Sequence, residues 1–465
     1  MEQQDRRRFA VILAAGDGKR MGSDRPKVLC EVLFKPMLRW VEDACRAAGI
    51  DELYIIAGDQ QDLLEQAVSP GCRFFRQPER RGTGHAVMMA SEAFAQGGDL
   101  LVLNGDAPFV SPQAINAAYA EHLSQGCAVT LMTAKLEDPS GYGRILRGED
   151  GRVLAIVEQK DATPEQLQIK EVNPGAYWFR TEFLRDALPR LTCQNAQGEY
   201  YLTDTVGLAS ADGLRVGGCA APDPDTALGA NDRRALQQLN ECARRRIIQR
   251  HLDNGVDIPF SDGIVIGPEV EIAHDAVILP GTILRGKTRI GAHAVIGPNS
   301  YLVDSQVGEG SHINASYLTD STVGRGSSVG PFSQLRPNSH LGDGVKLGDF
   351  VEIKNSTVGD KTSVAHLTYI GDSDVGAYCN FGCGVVTANY DGNKKYRTTI
   401  GDRAFIGCNT NLVPPVTVGE GAYTAAGTTI DEDVPAGALA IGRVHQQIKE
   451  GWSDEKIAFK KDAKK

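Results

Sequence analysis

A chain of 465 residues, 42% of them hydrophobic, is too long for one core and apolar enough to fold throughout, so two or three domains are expected. Its formal charge of −10 offers no basic face to nucleic acid or an anionic membrane surface, while local basic sites for phosphate stay open. Ten cysteines without a CxxC pair fit a reducing, cytoplasmic setting and argue against structural zinc, and no apolar run reaches the roughly 18 residues of a membrane span.

In chain order, Phe9 to Ala15 is a buried strand, too short for a signal core, and Gly16-Asp17-Gly18-Lys19-Arg20-Met21-Gly22 follows it as a glycine loop. A helical pattern runs from about Met37 to Ala48. A second strand begins at Tyr54, and Leu100 to Leu103 form a third, which ends in Asn104-Gly105-Asp106. Strands alternating with helices predict a parallel sheet covered on both faces, with ligands at the carboxyl ends of its strands, where both Gly16 to Gly18 and Asn104 to Asp106 fall. From Cys127 to about Gly217 further strands carry long polar inserts, including Tyr142-Gly143-Arg144-Ile145 and the run from Leu154 to Asp161. Arg234 to Asn254 then has Leu236, Leu239, Ala243, Ile247 and Leu252 among arginines, the spacing of a one-sided connecting helix. The expected division is a domain over residues 1–233, a linker helix over 234–262 and a second domain over 263–465.

That second domain repeats. Ile266, Ile272, Ile278, Leu284, Ile290, Ile296 and Leu302 recur every six positions, with Gly, Asn, Asp and Ser between them. This hexapeptide period is the mark of a parallel β-helix, in which each hexad supplies one short strand, one inward aliphatic side chain and one tight corner. Five-residue steps such as Leu302 to Val307, Ile353 to Val358 and Ile370 to Val375 adjust corners without ending the series. The register fails only between Val386 and Ile400, where a polar, basic segment must leave the coil as a loop, and such insertions usually carry function. A lysine-rich tail, Glu450 to Lys465, closes the chain.

Three places have chemical potential. Backbone N–H groups of Gly16 to Gly18 with Lys19, Arg20 and Lys27 suit phosphate, although neither GxxxxGK[ST] nor GxGxxG is matched and an ordinary tight turn is the alternative. Asp106, at a strand end after Gly105, suits a divalent metal beside phosphates or, more plainly, a helix cap. His366 is one of five solenoid histidines, with His274, His293, His312 and His340, most of which must be surface turn residues. Arg336, Lys354, Tyr369, Asn380 and the basic loop single it out as a base beside a phosphate site.

The motifs Leu13-Ala-Ala-Gly-Asp-Gly-Lys-Arg-Met, Pro26-Lys27-Val-Leu, Gln77-Pro-Glu-Arg-Arg-Gly-Thr-Gly-His-Ala and Gly105-Asp106 resemble sugar-phosphate nucleotidylyltransferases. Joined to a solenoid holding Phe350-Val-Glu-Ile-Lys-Asn, His366-Leu-Thr-Tyr-Ile-Gly-Asp and Asn389-Tyr-Asp-Gly, they resemble a bifunctional bacterial family over nearly the whole chain. Its members are N-acetylglucosamine-1-phosphate uridylyltransferases and glucosamine-1-phosphate N-acetyltransferases. The resemblance implies a Rossmann-like nucleotidyltransferase domain followed by a left-handed parallel β-helix, assembled as a homotrimer with acetyl-transfer sites between subunits. The product, UDP-N-acetylglucosamine, would feed peptidoglycan and lipopolysaccharide synthesis.

By the same resemblance, Leu13, Ala14, Ala15, Gly16, Gln77, Gly82 and Thr83, with Asn104 and Gly105, contact UTP, and Lys27 acts on its phosphates. Gly143, Glu158 and Asn173 hold the sugar, and Asp106 and Asn231 bind Mg²⁺. His366 is the general base, Arg336 and Lys354 bind the amino-sugar phosphate, and Tyr369, Asn380 and Asn389 orient sugar and acetyl group. Cys383, Tyr390, Cys408, Ala426 and Arg443 lie along the acetyl-CoA path. The chain departs from the family at Lys19, Arg25 and Asn104, and at Cys383 and Cys408, which stand where alanine and serine are common. An alternative keeps nucleotidyl transfer and makes the solenoid a trimerising scaffold only.

Overall fold

A computed structural model describes residues 6–16 and 18–453. The chain forms two compact units that divide between Arg246 and Ile247.

The first unit is built on a ten-stranded sheet. Its strands are β1 (Arg8–Ala14), β2 (Leu53–Ala57), β3 (Arg73–Arg76), β4 (Asp99–Asn104), β5 (Val129–Lys135), β6 (Gly143–Arg147), β7 (Val153–Val157), β8 (Glu171–Asn173), β9 (Tyr177–Arg180) and β10 (Val216–Ala220). They lie in the order β3-β2-β1-β4-β9-β5-β8-β6-β7, with β10 on β5. The continuous apolar runs of β1, β2 and β4 reflect burial on both faces. Phe9, Val11, Tyr54, Ile56, Leu100 and Val102 enter one core, and Ala10, Ile12, Ile55, Leu101 and Leu103 the other.

β1 to β4 pair in parallel, as expected. Beyond β4, where the sequence indicates further strands without their direction, β9 runs antiparallel between β4 and β5, and β6, β7 and β8 make antiparallel pairs. The polar inserts fold there as a hairpin, β6 to β7 through a turn at Gly148 to Arg152, and as a return path along β5, without the crossover helices that parallel pairing needs. Because β2 lies on one side of β1 and β4 on the other, the chain reverses direction at β1 and opens a crevice at the carboxyl ends. There Gly105 N donates to Leu13 O at 2.9 Å, which joins the glycine loop to the Asp106 turn.

The connecting helix runs Arg233–Asp253, short of the expected 234–262 span, and Gly255 at φ 82° terminates it. Near its end His251 is 4% exposed, and burial, then the neighbouring Arg250 guanidinium, lower its pKa to about 4. Its folded pKa lies below the ordinary histidine value, so the stability of neutral burial is present above about pH 6.5 and is lost as pH falls toward the folded pKa. His251→Gln is therefore expected to flatten the fall in Tm between about pH 6.5 and pH 4 relative to wild type; identical pH profiles would contradict this.

The second unit is the expected parallel β-helix, three short strands to a coil. Ile266, Leu284, Leu302, Leu318, Leu335, Ile353 and Ile370 stack as one inward ladder. Ile290, Val307, Val323, Leu341, Val358 and Val375 form a second. Ile278, Ile296, Ile313, Val329, Leu347, Val364 and Phe381 form a third. Serine is favoured at corners because its buried hydroxyl serves the next coil: Ser311 Oγ accepts from Ser327 N at 3.0 Å, and Ser356 Oγ from Ser373 N at 2.9 Å.

The segment between Val386–Thr387 and Thr398–Ile400 leaves the coil, as the lost register requires. A Tyr390–Lys395 bridge closes it, and Arg397 pins its return by an ion pair with Asp374 and bonds to the Ser373 and Asn355 carbonyls. Two strands just before it, Lys346–Lys354 and Ser363–Gly371, are nine residues long where most others have two or three. Of the expected tail, Glu450 to Ser453 are described, and the rest lies outside the described residues.

Candidate active sites

In the first unit a cavity of about 640 Å³ opens at the crevice, lined among others by Leu13, Thr83, Asn104, Asp106, Gly143, Glu158, Asn173 and Asn231. Lys27 Nζ forms an ion pair with Asp106 and donates to Asn231 Oδ1 at 3.0 Å. An ammonium thus stands between two oxygen donors. Glu158 accepts from Thr203 Oγ1 at 3.2 Å. Burial, reinforced by Asp161, Asp204 and Glu199, pushes its carboxyl above the ordinary range. A Cβ on Gly143 would lie 3.5 Å from both Glu158 oxygens and 2.9 Å from Ile156 Cγ2, so glycine keeps that carboxylate open to the cavity. Asn173 Nδ2 donates to Tyr177 OH at 2.6 Å, and its Oδ1 accepts from Gly175 N at 3.0 Å.

Ala14, Ala15 and Gly16 line a second cavity of about 450 Å³, together with Arg25, Gly58 and Arg80. Arg80 Nε donates to Ala15 O at 2.8 Å, tying the glycine loop to the Gln77–Gly82 segment. Gln77 is 5% exposed, and its amide donates to Gly82 O at 3.2 Å and meets His85 Nδ1 at 3.1 Å. Thr83 Oγ1 accepts from Leu202 N at 3.0 Å.

In the second unit the two long strands set Asp349 in register with His366 and Glu352 with Tyr369. His366 Nδ1 lies 2.9 Å from Asp349 Oδ1, and this bond holds the Asp349 carboxyl below its usual value. The carboxylate selects the tautomer with the proton on Nδ1 and leaves Nε2 to accept another. At the end of the strand that carries Asp349, Lys354 is held below the ordinary lysine value, first by the neighbouring Lys395 amine. Arg336 pairs with Glu352 at 2.9 Å. Asp372 binds Asn389 Nδ2 and takes Asn355 Nδ2 at 2.5 Å. Burial alone would raise the Asp372 carboxyl, but these bonds and Lys354 outweigh it and lower it. Tyr369 and Asn389 both crowd Gly371, and Tyr390 OH donates to Gly392 O at 2.7 Å within the loop.

The remaining residues form a column. The register Ser363↔Asn380↔Phe405↔Tyr423, carried three residues on, places His366, Cys383, Cys408 and Ala426 at one corner of successive coils. Bonds from Gly384 N to Leu367 O at 2.9 Å, Asn409 N to Cys383 O at 2.8 Å and Gly427 N to Cys408 O at 2.8 Å hold that alignment. Arg443 Cδ lies 3.8 Å from where a Cβ on Gly427 would be.

Residues 10–204 match the MobA-like NTP transferase domain, and residues 397–432 match the bacterial transferase hexapeptide of six repeats. The Bifunctional protein GlmU of Caldanaerobacter subterraneus subsp. tengcongensis is 46% identical over 448 residues, 96% of this chain and 98% of the relative. That of Clostridium acetobutylicum is 45% identical over 454 residues, 97% and 99% of the two chains. That of Clostridioides difficile is 44% identical over 447 residues, 96% and 97%. The chain belongs to the GlmU family. Its architecture is a nucleotidyltransferase domain followed by a hexapeptide, left-handed β-helix.

For this GlmU-family chain, Leu13, Thr83, Asn104, Asp106, Gly143, Glu158, Asn173 and Asn231 share the 640 Å³ cavity, Ala14 to Gly16 line the second cavity, and His366, Cys383, Cys408 and Ala426 share one column of the β-helix. Sequence reasoning missed Asp349, Lys395, Arg80 and Thr203. Asp349 had a findable signal, since it precedes His366 by 17 residues, about one coil. Lys395 lay in the basic loop, and only the folded loop shows that it turns toward Lys354.

Proposed function

We propose that this chain makes UDP-N-acetylglucosamine in two steps. The second unit acetylates glucosamine-1-phosphate with acetyl-CoA, and the first then joins N-acetylglucosamine-1-phosphate to UTP with release of pyrophosphate. The observation that carries the reading is that one GlmU-family chain builds both a His366–Asp349 pair, on the same two long strands as the Lys354 end of a cation cluster, and a Lys27–Asp106–Asn231 crevice.

In the first step Lys354, Lys395 and Arg336 hold the substrate phosphate, Tyr369, Asn380 and Asn389 orient the sugar, and His366 Nε2 takes a proton from the amine. The amine nitrogen attacks the thioester carbonyl, the carbon–sulfur bond breaks, and coenzyme A leaves as the thiol once its sulfur takes that proton back from the imidazolium. Asp349 stabilises the imidazolium that forms. Cys383, Tyr390, Cys408, Ala426 and Arg443 line the acetyl-donor path.

In the second step the sugar phosphate attacks the α-phosphorus of UTP in line. No protein nucleophile is needed, and Lys27 with the loop N–H groups orients the phosphates and offsets their charge. Leu13 to Gly16, Gln77, Gly82 and Thr83 hold the nucleotide, while Gly143, Glu158 and Asn173 hold the sugar. The Asp106 carboxylate and Asn231 carbonyl suit Mg²⁺, a hard cation that keeps water and takes phosphate oxygens, and the ammonium of Lys27 between them shows that the pair accommodates positive charge. When bound there, Mg²⁺ would polarise the triphosphate and offset its developing charge.

The assembly we propose is a homotrimer working in the cytoplasm. Its support is one corner of the β-helix, where Phe332, Phe350 and Leu367 adopt φ of 59°, 58° and 38° and remain 63%, 57% and 59% exposed. Bulky apolar residues in a left-handed conformation on an open surface fit an interface better than a free corner. The described residues include no helix long and apolar enough to cross a membrane.

A panel of sugar phosphates and nucleoside triphosphates tests the reading. Glucosamine-1-phosphate is expected to lead in coenzyme A release, and N-acetylglucosamine-1-phosphate with UTP in pyrophosphate release; another leading pair would contradict it. Because burial raises the Glu158 carboxyl, kcat/KM for the sugar phosphate in uridylyl transfer should fall on acidification at a higher pH than an ordinary glutamate would give. Glu158→Gln should remove that acid limb. An unchanged limb in the variant would exclude Glu158 as its source.

A further inference from the structure

Cys383 and Cys408 share one corner position on adjacent coils, both exposed and both free. The coil contact here is close. Cys383 O accepts from Asn409 N at 2.8 Å, and a Cβ placed on Gly382 would stand 2.8 Å from Cys408 Sγ, so the Cys408 thiol lies against the residue just before Cys383. In-register neighbours on adjoining strands are about 4.7–4.9 Å apart. That separation falls inside the roughly 4.4–6.8 Å window between Cα atoms that a disulfide spans. Cys379, by contrast, is buried with its thiol turned to Ala377 O and Gly401 O, and the only other exposed cysteine among the described residues, Cys193, lies in the first unit.

We infer that Cys383 and Cys408 form a two-thiol modification site that closes into a disulfide by exchange with a low-molecular-weight disulfide, and that closure shuts the acetyl-donor path. One cysteine sulfur attacks the small disulfide, forms a mixed disulfide and expels one small thiol, which carries off the proton. The second cysteine sulfur then attacks the protein sulfur of that mixed disulfide and expels the second small thiol. Two protein thiols are oxidised and one small disulfide is reduced to two thiols. The bond would lie across the column that runs from His366 to Ala426. The claim about activity rests on the proposed acetyl transfer; the claim about the bond rests on the coil geometry alone.

The test uses the full-length protein, reduced, freed of reductant and incubated with 2-hydroxyethyl disulfide. Peptide mapping by mass spectrometry is expected to show Cys383 joined to Cys408 with the loss of two hydrogens and no adduct, while Cys193 carries a hydroxyethylthio adduct or stays free. Cys383→Ala and Cys408→Ser should each lose the cross-linked peptide. Acetyl transfer should fall in proportion to the closed fraction, uridylyl transfer should hold, and dithiothreitol should restore the former. Stable adducts or free thiols at both positions of the wild type would overturn the site. A fully cross-linked chain with undiminished acetyl transfer would overturn its effect. Reduced protein without acetyl transfer would instead count against the proposed function and leave the bond to be judged by mass.

Discussion

Replacing His366 with alanine is expected to lower kcat for acetyl transfer by about 10²–10⁴-fold, the usual contribution of a positioned general base. Uridylyl transfer should be unchanged. The size of the effect follows from what is lost. The glucosamine amine must shed a proton as it becomes the nucleophile, and His366 Nε2 is free to take it because Nδ1 is bound to Asp349 at 2.9 Å. The fold should survive, since His366 is exposed on a strand whose ladder is kept by Val364 and Ile370. Asp349→Ala should cause a smaller loss, because the imidazole remains but its orientation and tautomer are no longer set. Coenzyme A release with glucosamine-1-phosphate at saturating acetyl-CoA measures both. Wild-type rates in the His366 variant would remove the base assignment and favour a solenoid that serves as a scaffold alone.

Replacing Asp106 with alanine should reduce uridylyl transfer by about 10²–10³-fold or more, the scale of losing a preorganised electrostatic partner of the transition state. Two effects combine. The variant loses a carboxylate donor for Mg²⁺, and it also frees Lys27 from the ion pair that holds its ammonium beside Asn231. Asp106→Asn keeps the side-chain shape while removing the charge on which both effects depend, so it should be nearly as impaired. Acetyl transfer should be spared, because the first unit is packed around its sheet and the second around the inward ladders of its own coil. Pyrophosphate release with N-acetylglucosamine-1-phosphate and UTP over a Mg²⁺ titration decides the matter. Equal loss of both activities in a folded variant would mean that the units are coupled.

Much of this was legible in the residues because the strongest signals are periodic. A six-residue repeat has few physical solutions, so Ile266 to Leu302 specify a coil, and the break after Val386 specifies a loop. Apolar runs likewise specify β1, β2 and β4, and their ends bring the glycine loop and the Asp106 turn to one edge of the sheet. Pairing direction from β5 onward was not legible, because direction depends on how connections fold back, which local composition does not encode. The partners of the site residues were hidden for a related reason. Asp349 meets His366, and Lys395 meets Lys354, only once coils stack and the loop turns. The column from His366 to Ala426 is similar: its members are separated by unequal intervals, since the inserted loop falls between Cys383 and Cys408.

The most direct measurement of the central claim is a single reaction containing this chain, glucosamine-1-phosphate, acetyl-CoA, UTP and Mg²⁺, followed by mass spectrometry of the nucleotide sugar with coenzyme A and pyrophosphate measured in parallel. One UDP-N-acetylglucosamine should form for each coenzyme A and each pyrophosphate released. Release of neither, or of pyrophosphate without coenzyme A, would contradict two activities on one chain.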